Sequence, residues 1–333
     1  MKSRNSDKEE EMGSLVTNYM GLELKNPIVV GSCGLTGDVE KIKKIEQNGA
    51  AAVVLKSIFE DQIIGEVQSL HSPRQHTEEY DYINNYVREH DLEIYLDLIE
   101  KAKNEVDIPI IASINCSTPK EWIHFIKEIQ EHGADAVELN VFILPGNIDK
   151  DGREIEKIYF DIIKNVKKVA KIPVSIKLSH YFSGLANFVA KLSSMGLDGI
   201  VLFNRFFSPD IDIDNMEFTS TTRYSSPGEL SLPLRWIGLL SGKVDTDLVA
   251  STGIHNGQDI IKCVLAGAKA VEIVSVLYKN GIEEIETIKD FLAHWLDLHH
   301  YDTIQEMIGK LNQSHLKDPS VYERAQFMKY FHK

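Results

Sequence analysis

The chain has 333 residues, with 36 lysines and arginines against 50 aspartates and glutamates, which gives a formal charge of −14. This balance excludes a nucleic-acid binder, which needs a basic face to neutralise phosphates, and argues against adhesion to anionic lipid. A hydrophobic content of 43% is typical of a globular protein, and the length allows either two domains or one α/β barrel with insertions.

The N-terminal residues 1–14 are charged and lack the apolar core of a signal peptide, so we expect a disordered leader ahead of a single domain over residues 15–333. No apolar run reaches the roughly 18 residues of a membrane span. Three cysteines without metal-ligand spacing indicate a reduced protein with no metal site. Together these features predict a cytoplasmic location.

Short apolar runs recur along the chain, and each is apolar on both faces, as expected of a strand in a parallel sheet. Some runs follow a proline, which removes no ladder hydrogen bond at the start of a strand. Others follow a glycine, which ends a helix in the left-handed conformation. With one less marked run, 247–251, eight strands are predicted, over residues 28–32, 51–56, 110–115, 135–140, 174–179, 198–204, 247–251 and 269–275.

Amphipathic patterns between these runs predict helices over residues 39–47, 121–131, 154–170, 185–194, 234–240 and 257–265. Repeated alternation of strand and helix predicts the α/β class and a (β/α)₈ TIM barrel. A doubly wound sheet is the alternative, but residues 31–34 lack the Gly-x-Gly-x-x-Gly spacing that it needs after an early strand.

Two connections are longer than ordinary barrel loops. Residues 57–108 follow the second strand and residues 205–246 follow the sixth, and we expect both to be long insertions that carry substrate contacts or lids. The tail, residues 283–333, is predicted to be the eighth helix followed by a helical extension.

Polar or small residues end every predicted strand, at the face where barrel enzymes hold their active sites. Lys56 and Lys177 are the candidate catalytic residues, because lysine is rarely buried without a partner. The alternative is that both lysines extend to solvent at the rim. The other strand-end candidates are Cys33, Gly34, Ser57, Ser113, Asn140, Asn204, Thr252, Gly253, Val274 and Ser275.

The ends of the last two strands predict a phosphate site. Backbone amides after Thr252 and Ser275 can cradle an anion, and the helix that opens at Asn256 adds its dipole. An ordinary loop with a helix cap at Asn256 is the alternative. Local dipoles allow an acidic protein to bind a phosphorylated cofactor.

In this order and spacing, the residues resemble the dihydroorotate dehydrogenase family of FMN-dependent barrels. The chain is similar to the soluble class 1 enzymes and to the pyrimidine-binding barrel of dihydropyrimidine dehydrogenase. The resemblance runs from about Tyr19 to Tyr278. It is carried by residues 21–27 (GLELKNP), 55–57 (LKS), 111–114 (IASI), 133–140 (GADAVELN), 176–178 (IKL), 230–235 (LSLPLR), 253–254 (GI), 257–259 (GQD) and 265–268 (LAGA).

The resemblance implies an FMN oxidoreductase of pyrimidine biosynthesis that acts on a CH–CH bond of a planar, amide-bearing small molecule. Lys177 would lie near N1 and O2 of the flavin, where a cation stabilises the reduced ring. The ring would contact Cys33, Gly34, Lys56, Ser57, Ser113 and Asn140; the phosphate would contact Thr252, Gly253, Val274 and Ser275. Asn140 and Asn204 would bind the substrate, since an amide both donates and accepts hydrogen bonds.

The segment after the fourth strand departs from the family pattern, Asn-x-Ser-Cys-Pro-Asn, whose cysteine (serine in membrane-bound relatives) removes a proton from the substrate. Here Asn140 is followed by VFILPGN, which offers no proton acceptor. We therefore expect a different substrate, or a weakened reaction with dihydroorotate. The other candidate bases are Cys116, His71, His76, His180 and Tyr181.

Two other functions stay open. An FMN- or phosphate-binding barrel without catalysis, acting as a partner subunit, would use the apolar residues 141–144 as a protein contact. A lyase or aldolase would form a Schiff base on Lys177 or Lys56. The family resemblance suggests a homodimer, to which residues 322–327 could contribute. A separate electron-transfer partner is suggested because the chain has no iron–sulfur cysteine cluster and no NAD fingerprint.

Overall fold

The computed structural model describes residues 13–59, 78–116, 119–206, 208–220 and 223–324. Most of the predicted leader, both His71 and His76, and residues 325–333 lie outside these ranges. Two short strands open the described chain, β1 (Thr17–Tyr19) and β2 (Leu22–Leu24), and they pair as an antiparallel hairpin.

Eight parallel strands form a closed barrel, which confirms the predicted (β/α)₈ fold. The closure comes from pairing of the second barrel strand with the third, in the register Val53 opposite Ile110. A two-residue strand, β5 (Ile58–Phe59), runs beside the third barrel strand. The barrel strands are β3 (Ile28–Val30), β4 (Ala52–Val54), β6 (Ile110–Asn115), β7 (Ala136–Asn140), β8 (Val174–Leu178), β9 (Gly199–Leu202), β12 (Asp247–Ser251) and β13 (Ala270–Ile273).

Each of the six helices predicted between the strands is present, and two of them match at both ends. The helices of the described chain are α1 (Val39–Gln47), α2 (Glu78–Glu105), α3 (Pro119–Glu131), α4 (Gly152–Val166), α5 (Leu185–Ser194), α6 (Ser231–Leu240), α7 (Gly257–Ala266), α8 (Ser275–Asn280) and α9 (Glu284–Leu298). The prediction of a helix to residue 170 was wrong, because α4 ends at Val166 and the chain turns before β8. Within the described ranges, none of the helices is both long and apolar enough to cross a membrane.

The two predicted insertions contain regular structure that the sequence pattern did not indicate. Residues 57–108 include α2, whose Leu96 and Ile99 pack in the core, so this connection supplies the helix that follows the second barrel strand. Residues 205–246 hold an antiparallel hairpin, β10 (Pro209–Asp212) with β11 (Glu217–Ser220), ahead of α6.

The barrel interior is apolar near the amino ends of the strands. Val29, Val201 and Val249 form a cluster there with Tyr19 and Met20, which belong to the β1–β2 hairpin. Tyr19 fits because β9 begins with Gly199: a Cβ at that position would lie 2.7 Å from the tyrosine ring. The hairpin therefore closes this end, and any site must lie toward the carboxyl ends.

Candidate active site

Hydroxyl and amide side chains from five barrel strands or the segments after them form one network at the carboxyl ends. Ser57 Oγ lies 2.7 Å from Ser113 Oγ and 3.0 Å from Ser32 Oγ. Asn140 donates from Nδ2 to Ser57 Oγ at 3.3 Å, and Asn204 donates from Nδ2 to Asn140 Oδ1 at 2.6 Å. The structure thus places Ser57, Ser113, Asn140 and Asn204, four of the residues predicted at strand ends, in contact with one another.

A tyrosine from α2 supports this network, and the sequence analysis did not identify it. The Tyr95 hydroxyl donates to the Ser113 carbonyl oxygen at 3.0 Å and accepts from the Ser113 amide at 2.7 Å. Burial raises the pKa of Tyr95, so the phenol stays neutral and can do both. The network therefore has a rigid support on the helix side of the barrel.

Three buried ionisable side chains lie inside the barrel below this network. Lys177 Nζ forms a close ion pair with Glu272 Oε2 and lies 4.0 Å from Glu138 Oε1. The side chains of both glutamates are 1% exposed and that of Lys177 is 10% exposed. Within the described chain, neither carboxyl oxygen of Glu138 has a hydrogen-bond partner. Both glutamates were missed, although each is a charged residue within an apolar strand.

Burial and the charge of Glu272 raise the pKa of Glu138 well above its ordinary value, which favours the protonated carboxyl group. Burial alone would lower the pKa of Lys177, but Glu272 and Glu138 outweigh it and the pKa is raised. An ammonium cannot attack a carbonyl, which argues against a Schiff base on Lys177.

Lys56 does not belong to this cluster. Its side chain is exposed and packs over Gly37, where a Cβ would lie 3.4 Å from the Lys56 Cβ. Lys56 therefore extends to solvent at the rim, as the alternative interpretation holds. Lys177 does not, because it is buried and paired.

A cavity of about 220 Å³ opens beside the cluster, at the ends of β12 and β13. Among the predicted residues, Lys177, Asn204, Thr252, Val274 and Ser275 line it. Arg205, Arg223, Ser225 and Glu272 line it as well, and sequence reasoning assigned none of them. The cavity thus combines cationic and hydroxyl groups, as a phosphate-bearing ligand requires.

Two hydrogen bonds shape the end of this cavity that Ser225 and Ser275 line. The Ser225 amide donates to Ser275 Oγ at 2.9 Å, and Lys279 Nζ donates to the Ser225 carbonyl oxygen at 2.7 Å. Thr252 has a φ of 81°, a strained conformation for a β-branched residue, and its hydroxyl donates to the Phe203 carbonyl oxygen at 3.0 Å. The insertion that contains Ser225 is therefore tied to the segment that follows the last barrel strand.

Gly253 and Asn256 have structural roles in the same turn. A Cβ at Gly253 would lie 2.2 Å from the Leu230 nitrogen, and the φ of 81° also favours glycine. Asn256 caps α7, since its Oδ1 accepts from the Asp259 amide at 2.9 Å. The capping alternative considered from the sequence is therefore present in the structure.

Cys33 and Gly34 lie at the rim, in a short turn that packs against Tyr278. A Cβ at Gly34 would lie 2.9 Å from the Tyr278 hydroxyl. Burial raises the pKa of the Cys33 thiol, so it is protonated at neutral pH and is a poor base.

A second cavity of about 250 Å³ adjoins the first and shares Asn204, Arg205 and Thr252 with it. Its lining includes the aromatic rings of His180, Tyr181, Phe203 and Phe206. Tyr181 meets Phe206 edge-on at a centroid distance of 5.1 Å, and Phe206 is stacked on Phe142, which is not part of the lining, at 4.0 Å. A planar ligand would find both stacking faces and the Asn204 amide here.

His180 and Tyr181 are the candidate bases that line this second cavity, and His180 is the one with a titration in the useful range. Burial lowers its pKa, so the imidazole is neutral at pH 7 and can accept a proton. Cys116 is buried, and Phe142 lies in an exposed loop without a proton acceptor. Of the bases considered, the described chain thus presents His180 and Tyr181 to the cavity.

A family model described as dihydroorotate dehydrogenase matches residues 14–296 of the chain. Similar proteins include catalytic subunits of dihydroorotate dehydrogenase B (NAD(+)). The one from Thermoplasma volcanium is 30% identical over 323 residues, covering 90% of this chain and 98% of the relative. The one from Pyrococcus abyssi is 28% identical over 308 residues (89% and 98%), and the one from Shouchella clausii is 25% identical over 306 residues (90% and 98%).

Proposed function

Because this chain belongs to the dihydroorotate dehydrogenase family, whose members are oxidoreductases that act on CH–CH bonds, we propose that it is an FMN-dependent dehydrogenase of a planar, amide-bearing, pyrimidine-like substrate. The observation that carries the proposal is the meeting of three features at the carboxyl ends of the strands. These are the cationic cavity, the serine–asparagine network and the aromatic cavity.

The first cavity suits FMN because its two ends differ in chemistry. Arg223, Ser225 and Ser275 would hold the phosphate, as cations and hydroxyl groups do. Lys177 and Asn204 line the same cavity and would face the ring. When bound, FMN supplies the two-electron chemistry, while these residues bind and orient it.

The substrate would lie between the network and the aromatic cavity. Asn140 and Asn204 can each donate and accept hydrogen bonds, which matches the amide edge of a pyrimidine ring. Phe206, which lines the second cavity, offers an aromatic ring beside them. His180 would take the proton from the substrate carbon, because residues 141–147, directly after β7, carry no side chain that can do so.

A separate electron-transfer partner is part of this proposal. The relatives are named as catalytic subunits, which is consistent with a second protein that receives the electrons. In the loop after β7, the side chains of Leu144 and Ile148 are 61% and 97% exposed, which suits a protein contact. The predicted homodimer and cytoplasmic location stay predictions.

The visible spectrum of the purified protein tests the proposal. We expect flavin absorbance as isolated or after addition of FMN, and bleaching under anaerobic conditions by a reduced pyrimidine. A colourless protein that gains no flavin absorbance bands with added FMN would contradict the proposal.

The substrate screen separates dihydroorotate from other dihydropyrimidines. We expect slow turnover of dihydroorotate, because residues 141–147, at the position of the family's base, include Phe142 and Leu144 and no acid–base group. Turnover at ordinary dehydrogenase rates would contradict that expectation. Flavin that no pyrimidine, NADH or NADPH reduces, together with a stable complex with another chain, would favour the non-catalytic partner subunit, to which the exposed loop is also suited.

A further inference from the structure

Lys177 is a cation that lines the first cavity, but its ammonium group is already paired with Glu272. We infer that Glu272 is a positioning residue that holds the Lys177 ammonium and cancels its charge. The site therefore stabilises reduced FMN less than it would if Lys177 had no carboxylate partner. This inference rests on the proposed function, since it needs FMN in that cavity.

The geometry makes the pairing a feature of the fold. Lys177 on β8 and Glu272 on β13 point inward from different sides of the barrel, and both line the cavity. Space for the glutamate comes from Gly31, where a Cβ would lie 3.0 Å from Glu272 Oε2. A larger residue at position 31 would push the carboxylate away from Lys177.

Glu272, and not Glu138, is the counter-ion of the lysine. Glu272 is in close contact with Lys177 Nζ, whereas the nearest Glu138 oxygen is 4.0 Å away. Two ionised carboxylates beside one ammonium would leave a net buried charge, which is costly in a low-dielectric interior. A protonated Glu138 removes that charge, so the cluster of Glu138, Lys177 and Glu272 is neutral overall.

The consequence concerns the charge that reduction adds to the ring. Two electrons and one proton leave a flavin ring with one negative charge, which a nearby cation stabilises. With Glu272 ionised beside it, the lysine contributes little net positive potential to the cavity. Removing the Glu272 charge should therefore favour the reduced form.

The test is the midpoint potential of the FMN-loaded protein, measured anaerobically by dithionite titration against a reference dye. We expect Glu272→Gln, made in the Glu138→Gln background so that Glu138 cannot ionise in its place, to bind reduced FMN about tenfold more tightly relative to oxidised FMN, a rise of about 30 mV for a two-electron couple. A potential unchanged from wild type, with FMN bound and the fold intact, would overturn the inference.

Glu138→Gln is the matched control, because it makes the same change in an equally buried side chain next to the same lysine. Glutamine resembles the protonated carboxyl, so we expect a potential close to wild type. If Glu138→Gln shifts the potential as much as Glu272→Gln does, Glu138 shares the role of counter-ion and the inference is wrong.

Glu272→Gln leaves Lys177 without its partner and can impair folding. The double variant Lys177→Gln with Glu272→Gln removes both charges and should return the potential to near the wild-type value. If the double variant keeps a raised potential, the effect does not act through Lys177 and the inference fails. Failure of every variant and of wild type to bind FMN would refute the proposed function instead.

Discussion

The two ends of the barrel interior are made by the same strands but carry different chemistry. Along β7, the inward positions pass from Ala136 to Glu138 and Asn140, that is, from an apolar to a carboxyl and then to an amide side chain. At the amino ends, Val249 and Tyr19 pack in an apolar cluster. We therefore expect substitutions at the apolar end to change stability and substitutions at the polar end to change binding.

The largest effect is expected at the polar end, from His180→Gln. If the imidazole takes the substrate proton, kcat falls by about 10²–10⁴-fold while FMN remains bound. In the wild type, kcat/KM should rise with pH through a pKa below 6.5, because burial lowers the pKa of His180 and only the neutral ring accepts a proton. Steady-state kinetics over pH 5–8 measures both.

The control for that variant is His124→Gln, on the outer helix α3, where the histidine side chain is 52% exposed. Its activity should equal that of wild type. A His180→Gln enzyme with wild-type kcat would assign the proton transfer to another group.

Next is Arg223→Gln, at the phosphate end of the first cavity. Loss of one charge-assisted hydrogen bond of about 1.5–3 kcal/mol should weaken FMN binding by roughly 10- to 100-fold. Fluorescence titration with FMN gives the Kd. Lys191→Gln, in the last turn of α5 and 53% exposed, removes a cation far from the cavity and should leave the Kd unchanged.

At the apolar end, Gly199→Ala should lower the free energy of unfolding by about 1–3 kcal/mol, since the new Cβ would lie 2.7 Å from the buried Tyr19 ring. The FMN Kd of the folded protein should not change. Urea unfolding measures the loss, with Gly152→Ala as control, because a Cβ there meets no atom within 4 Å. Weakened FMN binding in Gly199→Ala would contradict the separation of the two ends.

The smallest effect is expected from Glu138→Gln, as a change in the pH dependence of stability. The folded-state pKa of Glu138 lies above its ordinary value of 4.5, so folding is favoured when the group is protonated. In wild type this contribution is complete below about pH 4.5 and is lost as the pH rises toward the raised pKa. Calorimetry should show a smaller fall in Tm from pH 5 to pH 8 in the variant; equal slopes would show that Glu138 does not titrate in this way.

Much of this could be predicted from the sequence, because the deciding features are local. Proline and glycine mark where strands begin, and the bounds of α1 and α5 follow from apolar periodicity. The polar residues at the strand ends could be named because parallel strands in a closed barrel all end on one face. Ser57, Ser113 and Asn140 meet for that reason.

Only the tertiary structure decided which distant residues complete the site. Tyr95 comes from α2 and Arg223 from the insertion after the sixth barrel strand, and neither position carries a local pattern. Glu138 and Glu272 lie within apolar runs that read as ordinary strands. Periodicity along the chain reports that a residue is buried, whereas the partner it meets depends on how non-local strands pair when the barrel closes. For that physical reason the sequence alone identified Lys177 as a candidate, and only the fold showed that its charge is held by Glu272.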